Sequence, residues 1–345
     1  MPKAPHVVAV VVVHNPGTWF QEMLGSLRDC DYPNISSIFV DTSSDVDVTG
    51  AILTTIPAAT IIKADPTTGF GAACNIGAHS AKNATHLLFC HDDVAFAPDA
   101  IRKMVEEAFL MNAGVVTPKY VVWNSPSKIF ALGASMDRTG TLVSRVDVGD
   151  LDQGQYDISH EVFVAPGGAT LVRKDLFDAI KGFDERMFLY YEDADLSWRA
   201  QIAGARIVAA PLAKVRHLLV STLGSRRARG GRRKNSAAVR SRLPRHDRIR
   251  YSRKNQLRAL LGNTRGFPGL ISLAQYFVLS VVEVLYFLIT GKPKIAFSIF
   301  ESWPAVVTSR RSIRPSKTGL GQPVQERPRQ CGIAQAIPSQ SRRRR

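Results

Sequence analysis

The chain has 345 residues, 45% of them hydrophobic and 8% aromatic, with a formal net charge of +16. That length and apolar content support one large core or two smaller ones and exclude a wholly disordered chain. Its four cysteines (Cys30, Cys74, Cys90, Cys331) show no C-x-x-C spacing and read as buried, reduced thiols.

Val7–Val13 (VVAVVVV) predicts a strand buried on both faces of a parallel sheet. The run is too short and too poorly flanked for a signal peptide, which implies a cytoplasmic catalytic part. After a turn at His14-Asn15-Pro16-Gly17, Trp19–Cys30 reads as a helix with Phe20, Met23, Leu24 and Leu27 on one face. Strands are predicted at Ser37–Val40 and Ala59–Lys63, a helix at Asn75–Lys82, a buried strand at His86–Cys90, a helix at Pro98–Leu110 and a strand at Gly114–Thr117. Tyr120–Glu161 shows no regular pattern. Strand character returns at Val162–Val164 and Ala169–Val172, around a Gly167-Gly168 pair that permits close backbone approach, and Lys174–Ile180 reads as a helix. The alternation predicts an α/β fold with an open, mainly parallel sheet.

Polar residues gather where these strands end: His14 and Asn15, Asp41, then Asp92 and Asp93. Ligands in open α/β sheets bind at the carboxyl ends of strands, so three such ends point to one site. Further on, Glu192, Asp193 and Asp195 lie between an aromatic run (Phe188, Tyr190, Tyr191) and a helix, and a strand then ends at His217. Acids favour a helix's first turn, which would account for one of the three. Three beside aromatics are costly to desolvate unless they bind something or move a proton. Asp195 precedes Arg199 by one helical turn and reads as its ion-pair partner.

Acids and bases balance up to Leu223, but from Arg226 to Arg258 the basic residues are opposed only by Asp247, and the chain ends in Arg342–Arg345. Such a block suits anionic lipid headgroups, nucleic acid or a phosphorylated substrate. Tyr251 is its lone aromatic, which argues against base stacking, so no nucleic-acid partner is expected. The apolar run Leu270–Thr290 that follows is long enough to span a bilayer, although Glu283 opposes spanning and a helix lying in the interface is the alternative. After Ser309 the composition turns to Pro, Gln, Ser and Arg and predicts disorder.

A P-loop and a G-x-G-x-x-G fingerprint are both lacking. Gly69–Asn75 (GFGAACN) is a small-residue loop opening a helix whose amides suit a diphosphate, although a tight turn explains it as well. Adjacent Asp92 and Asp93 repel each other unless neutralised, which suits Mg²⁺ or Mn²⁺ on substrate phosphates, with His217 completing the ligand set; an Asx turn is the alternative.

Together these motifs resemble the family 2 glycosyltransferases of GT-A fold, the inverting, sugar-nucleotide-dependent type. VVVVHN is similar to the family's first strand, Phe39–Asp45 (FVDTSSD) to its V-D-N-x-S-x-D segment, and Gly69–Gly77 to its glycine loop. His91-Asp92-Asp93 stands at its D-x-D position, with His91 where many members carry Asp or Asn. GFDE at 182–185 and YEDADLSWR at 191–199 match its acidic signature. The resemblance implies a Rossmann-like GT-A domain over residues 1–222, a basic juxtamembrane segment at 223–265, a hydrophobic membrane-associated region at 266–308 and a disordered basic tail at 309–345.

The resemblance also implies roles. The sugar nucleotide would meet His14, Asn15, Asp41, Gly69, Phe70, Asn75 and Asp92, and the metal would meet Asp93 and His217. Asp193 would be the general base, with Glu192, Gly168 and Trp198 around the acceptor, a cell-envelope glycan or lipid-linked hydroxyl. The enzyme would work at the cytoplasmic membrane face against anionic lipids. The absence of Q-x-x-R-W disfavours a processive synthase, and the absence of G-x-G-T-R after the first strand disfavours a nucleotidyltransferase. The remaining rivals are a catalytically inactive relative acting as a membrane scaffold and a basic polyanion-binding protein.

Overall fold

The computed structural model describes residues 4–219 and 243–304. The basic run 226–242 and the predicted tail therefore lie outside the described residues.

A large sheet organises the fold. Strands β1 (Val7–Val13), β2 (Ile35–Asp41), β3 (Thr60–Lys63) and β4 (His86–His91) pair in parallel, in the order β4-β1-β2-β3. As the valine run predicts, β1 is buried on both sides. Val7, Ala9, Val11 and Val13 join a cluster with Met23, Leu24 and Met104, from helices α1 (Phe20–Arg28) and α4 (Ala100–Leu110). Val8 and Val10 face the opposite cluster with Ala73, Cys74 and Ala78. Successive strand side chains point to opposite faces, so a strand between two helical layers must be apolar throughout.

The second half of the sheet is antiparallel in part. β11 (Ala169–Arg173) lies between β4 and β6 (Ala113–Val122) and runs against both. The long β12 (Arg206–His217) pairs in parallel with β6 and antiparallel with the short β5 (Val94–Phe96). The region without sequence pattern holds β7 (Ser125–Ala131), β8 (Ala134–Met136), β9 (Leu142–Ser144) and β10 (His160–Glu161), whose partly exposed residues give no clean alternation. Val162–Val164 is not a strand. It makes an isolated bridge, Ala134 to Val164, with a carbonyl of Ala134 accepting from Val164.

Helix α2 is Thr49–Thr55, α5 is Lys174–Ala179 and α6 is Glu192–Ile202. Helix α3 (Phe70–Ser80) begins five residues before the predicted Asn75, so most of the apparent glycine loop is helix. Its glycines serve packing. A Cβ on Gly71 would come 2.9 Å from Phe183 Cβ, and one on Gly77 would come 2.3 Å from a Val10 methyl.

Three helices follow the described gap: α7 (Arg245–Asn263), α8 (Gly266–Ile289) and α9 (Pro293–Phe300). Helix α7, which lies in the expected juxtamembrane segment, packs on the α/β part. Its Asn255, Gln256 and Asn263 donate side-chain hydrogen bonds to Tyr190 O, Thr139 O and Asp195 Oδ1. Its Leu257 and Leu260 form a small core with Tyr276 of α8, against which Trp198 and Trp303 pack.

Candidate active site

The ends of β1, β2 and β4 come together. Asp41, closing β2, is fully buried and accepts from Lys63 Nζ at 2.6 Å, Ser44 N at 2.9 Å and Ser44 Oγ at 2.7 Å. Burial pulls its pKa upward, but the Lys63 and Ser44 contacts outweigh it and hold the carboxyl below its usual range. The backbone N–H of His14 donates to Asp92 Oδ2 at 3.1 Å, and that of Asn15 to Ser44 Oγ at 2.8 Å. Asn15 is left-handed at φ 48°, a conformation Asn adopts more readily than most residues. His14, Asn15, Asp41 and Asp92 thus form one polar rim.

Beside it lies a second group. Asp93, 5% exposed, places Oδ1 3.2 Å from His217 Nε2 and 3.7 Å from His91 Nδ1. One donor atom from each of the three residues lies within 4.8 Å of the others. Burial pushes His91 down to about 4, which leaves a neutral imidazole with a lone pair to offer. Phe70 packs edge-on to His91 at 4.5 Å between centroids. Two imidazoles and a carboxylate fit a divalent cation, and His91 adds a nitrogen to the Asp93–His217 pair expected from sequence.

Gly167 and Gly168 join this group to the acidic segment. His91 N donates to Gly168 O at 2.9 Å, and a Cβ on Gly168 would come 2.9 Å from His217 Cε1. Gly168 is therefore the space His217 needs. The next amide, Gly167 N–H, donates to Asp193 Oδ2 at 2.8 Å, while Ala194 N–H holds Oδ1 at the same distance. Burial raises the Asp193 pKa and these two amides partly oppose it. An apolar hollow lined by Phe70, Phe89, Phe183 and Leu196 accounts for the desolvation. Glu192 is 8% exposed and is raised too, first by burial and then by the charge of Asp193.

Three other expected residues make turn and packing contacts. Asn75 holds the turn after α5: its amide donates to Phe183 O and Glu185 Oε1, both at 3.0 Å, and its oxygen accepts from Phe183 N at 2.9 Å. Gly69 makes room for Phe188, whose carbonyl would lie 2.1 Å from a Cβ there. Trp198 packs on Phe163 and the α7–α8 core. Asp195 does pair with Arg199, at 2.8 Å. Sequence reasoning missed Lys63 as the partner of Asp41, the Gly167 amide and all of α7. The glycine pair was the one local signal for any of them.

The model of glycosyl transferase family 2 matches residues 8–181, just over half of the chain. This chain belongs to glycosyl transferase family 2. The matched part ends before Glu192, Asp193 and His217, which the fold returns to the strand ends of the matched segment.

Solved structures show the GT-A fold for this family 2 protein. GalNAc-T7 with UDP, GalNAc and Mn²⁺ superposes with a TM-score of 0.57 at 13% identity, covering 76% of this chain and 48% of that one. Staphylococcus aureus TarS 1–349 with UDP-GlcNAc gives 0.54 at 13% identity, over 89% and 88% of the two chains. The mannosyltransferase PcManGT from Pyrobaculum calidifontis, with GDP-Man and Mn²⁺, gives 0.51 at 15% identity, over 89% and 76%. The chain thus spans about half the length of the GalNAc-T7 chain. No curated protein matches the sequence.

The raised Glu192 pKa makes a prediction for the stability of this family 2 protein. A carboxyl whose folded-state pKa exceeds its unfolded one contributes fully below the unfolded value, and that contribution is lost as pH rises through the folded one. For Glu192 the window runs from the ordinary carboxylate range up to its raised value. One of its oxygens, Oε2, is buried with no hydrogen-bond partner, a cost that grows once the group is ionised. The Tm of Glu192→Gln relative to wild type is therefore expected to rise between about pH 5 and about pH 9. An equal difference at both ends, by calorimetry, contradicts it.

Proposed function

We propose that this protein is an inverting glycosyltransferase that moves a hexosyl or deoxyhexosyl unit from a nucleotide-diphosphate sugar to a hydroxyl of a cell-envelope glycan or lipid-linked acceptor. One juxtaposition carries the reading: a cation-type donor set at His91, Asp93 and His217 and an amide-held carboxylate at Asp193, bridged by Gly167-Gly168. The donor's nucleoside lies on the rim of Asp41, His14, Asn15 and Asp92. Asp193 Oδ2 takes the proton from the acceptor hydroxyl, and its raised pKa makes it a stronger base near neutral pH. Glu192 shapes the wall beside it.

His91, Asp93 and His217 would hold the metal, which when bound there offsets the negative charge of the departing diphosphate. Imidazole nitrogens suit Mn²⁺ better than Mg²⁺, which prefers oxygen ligands and keeps its waters. The presence of Mn²⁺ in the GalNAc-T7 and PcManGT structures supports that choice. The test is transfer from a panel of sugar nucleotides into a lipid and glycan extract, with the product's anomeric configuration read by NMR. Inversion supports the reading. Retention contradicts the proposed mechanism, and binding of donors without any transfer favours the inactive scaffold.

The same reading places the protein at the cytoplasmic face of the membrane. Helix α8 is long and apolar, with a mean hydropathy of 1.8, and its outer face is exposed, from Phe267 at 77% to Ile289 at 86%. Helix α7 runs back along it: Tyr276 Oη donates to Arg253 O at 3.1 Å, Arg253 pairs with Glu283, and Arg250 lies 3.6 Å from Glu301. A spanning α8 would carry these charges into hydrocarbon. An α8 lying in the leaflet sinks its apolar face and leaves the basic side chains of α7 at the headgroups. The full chain is expected to sediment with phosphatidylglycerol vesicles, far less with phosphatidylcholine, and no site on α8 should become accessible from the opposite side. Labelling of a cysteine at position 289 from the far leaflet would show spanning instead.

A further inference from the structure

Two consecutive non-glycine residues, Tyr190 at φ 65° and Tyr191 at φ 75°, are left-handed immediately before Glu192 and Asp193. That conformation is disfavoured for any residue with a Cβ and persists only where surrounding structure enforces it. Tyr191 is the N-cap of α6 and makes no side-chain cap, so α6 does not enforce it from within. The support comes from α7. Asn255, 1% exposed, donates from its one amide nitrogen to Leu189 O at 2.9 Å and Tyr190 O at 2.8 Å. Around it, Tyr251 packs on Phe188 at 5.6 Å, and Gln256 Nε2 donates to Thr139 O at 2.9 Å. The neighbouring Gly140 carbonyl accepts from the Tyr191 hydroxyl. One helical face beyond the family-matched segment therefore grips both sides of the turn.

We infer that Asn255 is a positioning residue for Asp193: its amide holds the Leu189–Tyr191 turn, left-handed at Tyr190 and Tyr191, in the one shape that aims the Asp193 carboxylate at the Gly167 amide. The inference rests on Asp193 being the base. Among the described residues, Asn255 makes its side-chain hydrogen bonds to Leu189 and Tyr190 and none to Asp193 or Gly167, so it acts through the backbone. Its two donor hydrogens match two carbonyls that lie next to each other in sequence. A primary amide supplies both bonds from one neutral atom, which the carboxylate of Asn255→Asp cannot do. Because α7 also carries the contacts to α8, the base is set by a helix tied to the membrane-facing part of the protein.

The test uses the full chain in lipid nanodiscs, with Asn255→Ala, the isosteric Asn255→Asp, and Asn255→Ala combined with Tyr190→Gly. Both single variants are expected to exchange the amides of residues 189–194 about ten-fold faster, with the rest of the chain unchanged. Turnover of whichever probe supports it, UDP-GlcNAc or GDP-mannose, is expected to fall about 10- to 100-fold with donor KM held. Glycine accepts φ 65° freely, so Tyr190→Gly should restore part of the exchange protection lost in Asn255→Ala. Unchanged exchange at 189–194 overturns the inference. So does acceleration spread over the whole chain with a lowered Tm, which marks a merely structural residue. Full turnover in Asp193→Asn would sink the base assignment instead, while the exchange arm still decides what Asn255 holds.

Discussion

Asp193→Asn is expected to lower sugar transfer by about 10²–10⁴-fold while leaving sugar-nucleotide affinity nearly unchanged. The substitution keeps the shape of the side chain, and one oxygen can still accept from Gly167 N–H, now at 2.8 Å. What it removes is the basicity: the oxygen left at the Oδ2 position belongs to a neutral amide, which takes no proton. The other position of the group faces the Ala194 amide, so an asparagine NH₂ there meets a donor and costs some stability. Comparing Asp193→Asn with Asp193→Ala separates the two effects. Both lose turnover, and only the alanine variant frees the Gly167 amide. Steady-state kinetics with the donor varied at saturating acceptor gives the split: kcat falls and donor KM stays. Near-normal turnover in Asp193→Asn would remove it as the base.

Asp93→Ala is expected to have an effect of similar size on a different parameter. Asp93 Oδ1 is the one anionic ligand atom in the His91–Asp93–His217 set, and it lies between both imidazoles. Without it two imidazole nitrogens remain, with no anionic ligand, and they hold Mn²⁺ poorly. Turnover at fixed Mn²⁺ should fall about 10³-fold, the equivalent of several kcal/mol of charge stabilisation on the diphosphate. Excess Mn²⁺ should recover part of it, and EDTA should bring wild type to the same level. His217→Ala should fall less, because His91 and Asp93 remain. A variant as active as wild type in EDTA and in Mn²⁺ alike would show that these three residues serve packing only.

Much of the site was legible because strand ends are legible. The valine run sets β1 inside the sheet, and the polar residues after β1, β2 and β4 then have to share one edge. The acids at 192 and 193 were found from their cost of burial, and the structure does bury Glu192. Strand direction was not legible. Ala169–Arg173 reads as one more apolar strand, and nothing local tells that it opposes β4 and β6. Asn75 and Gly69 sit in a motif shaped like a phosphate loop, but their long-range partners, Phe183 and Phe188, are more than a hundred residues away. Helix α7 was the hardest part to read. In a run of arginines, Asn255, Gln256 and Asn263 look like ordinary solvated helix positions, and only tertiary contacts reveal them as donors to the rest of the fold, the first two buried.

A metal-assisted nucleotide-sugar site at these strand ends is open to calorimetric titration of the full chain with a panel of sugar nucleotides, in Mn²⁺ and in EDTA. At least one nucleotide-diphosphate sugar is expected to bind in Mn²⁺ and to bind about ten-fold or more weakly in EDTA, with Asp93→Ala insensitive to the metal. Binding of no sugar nucleotide under either condition, or equal binding in both, would contradict it.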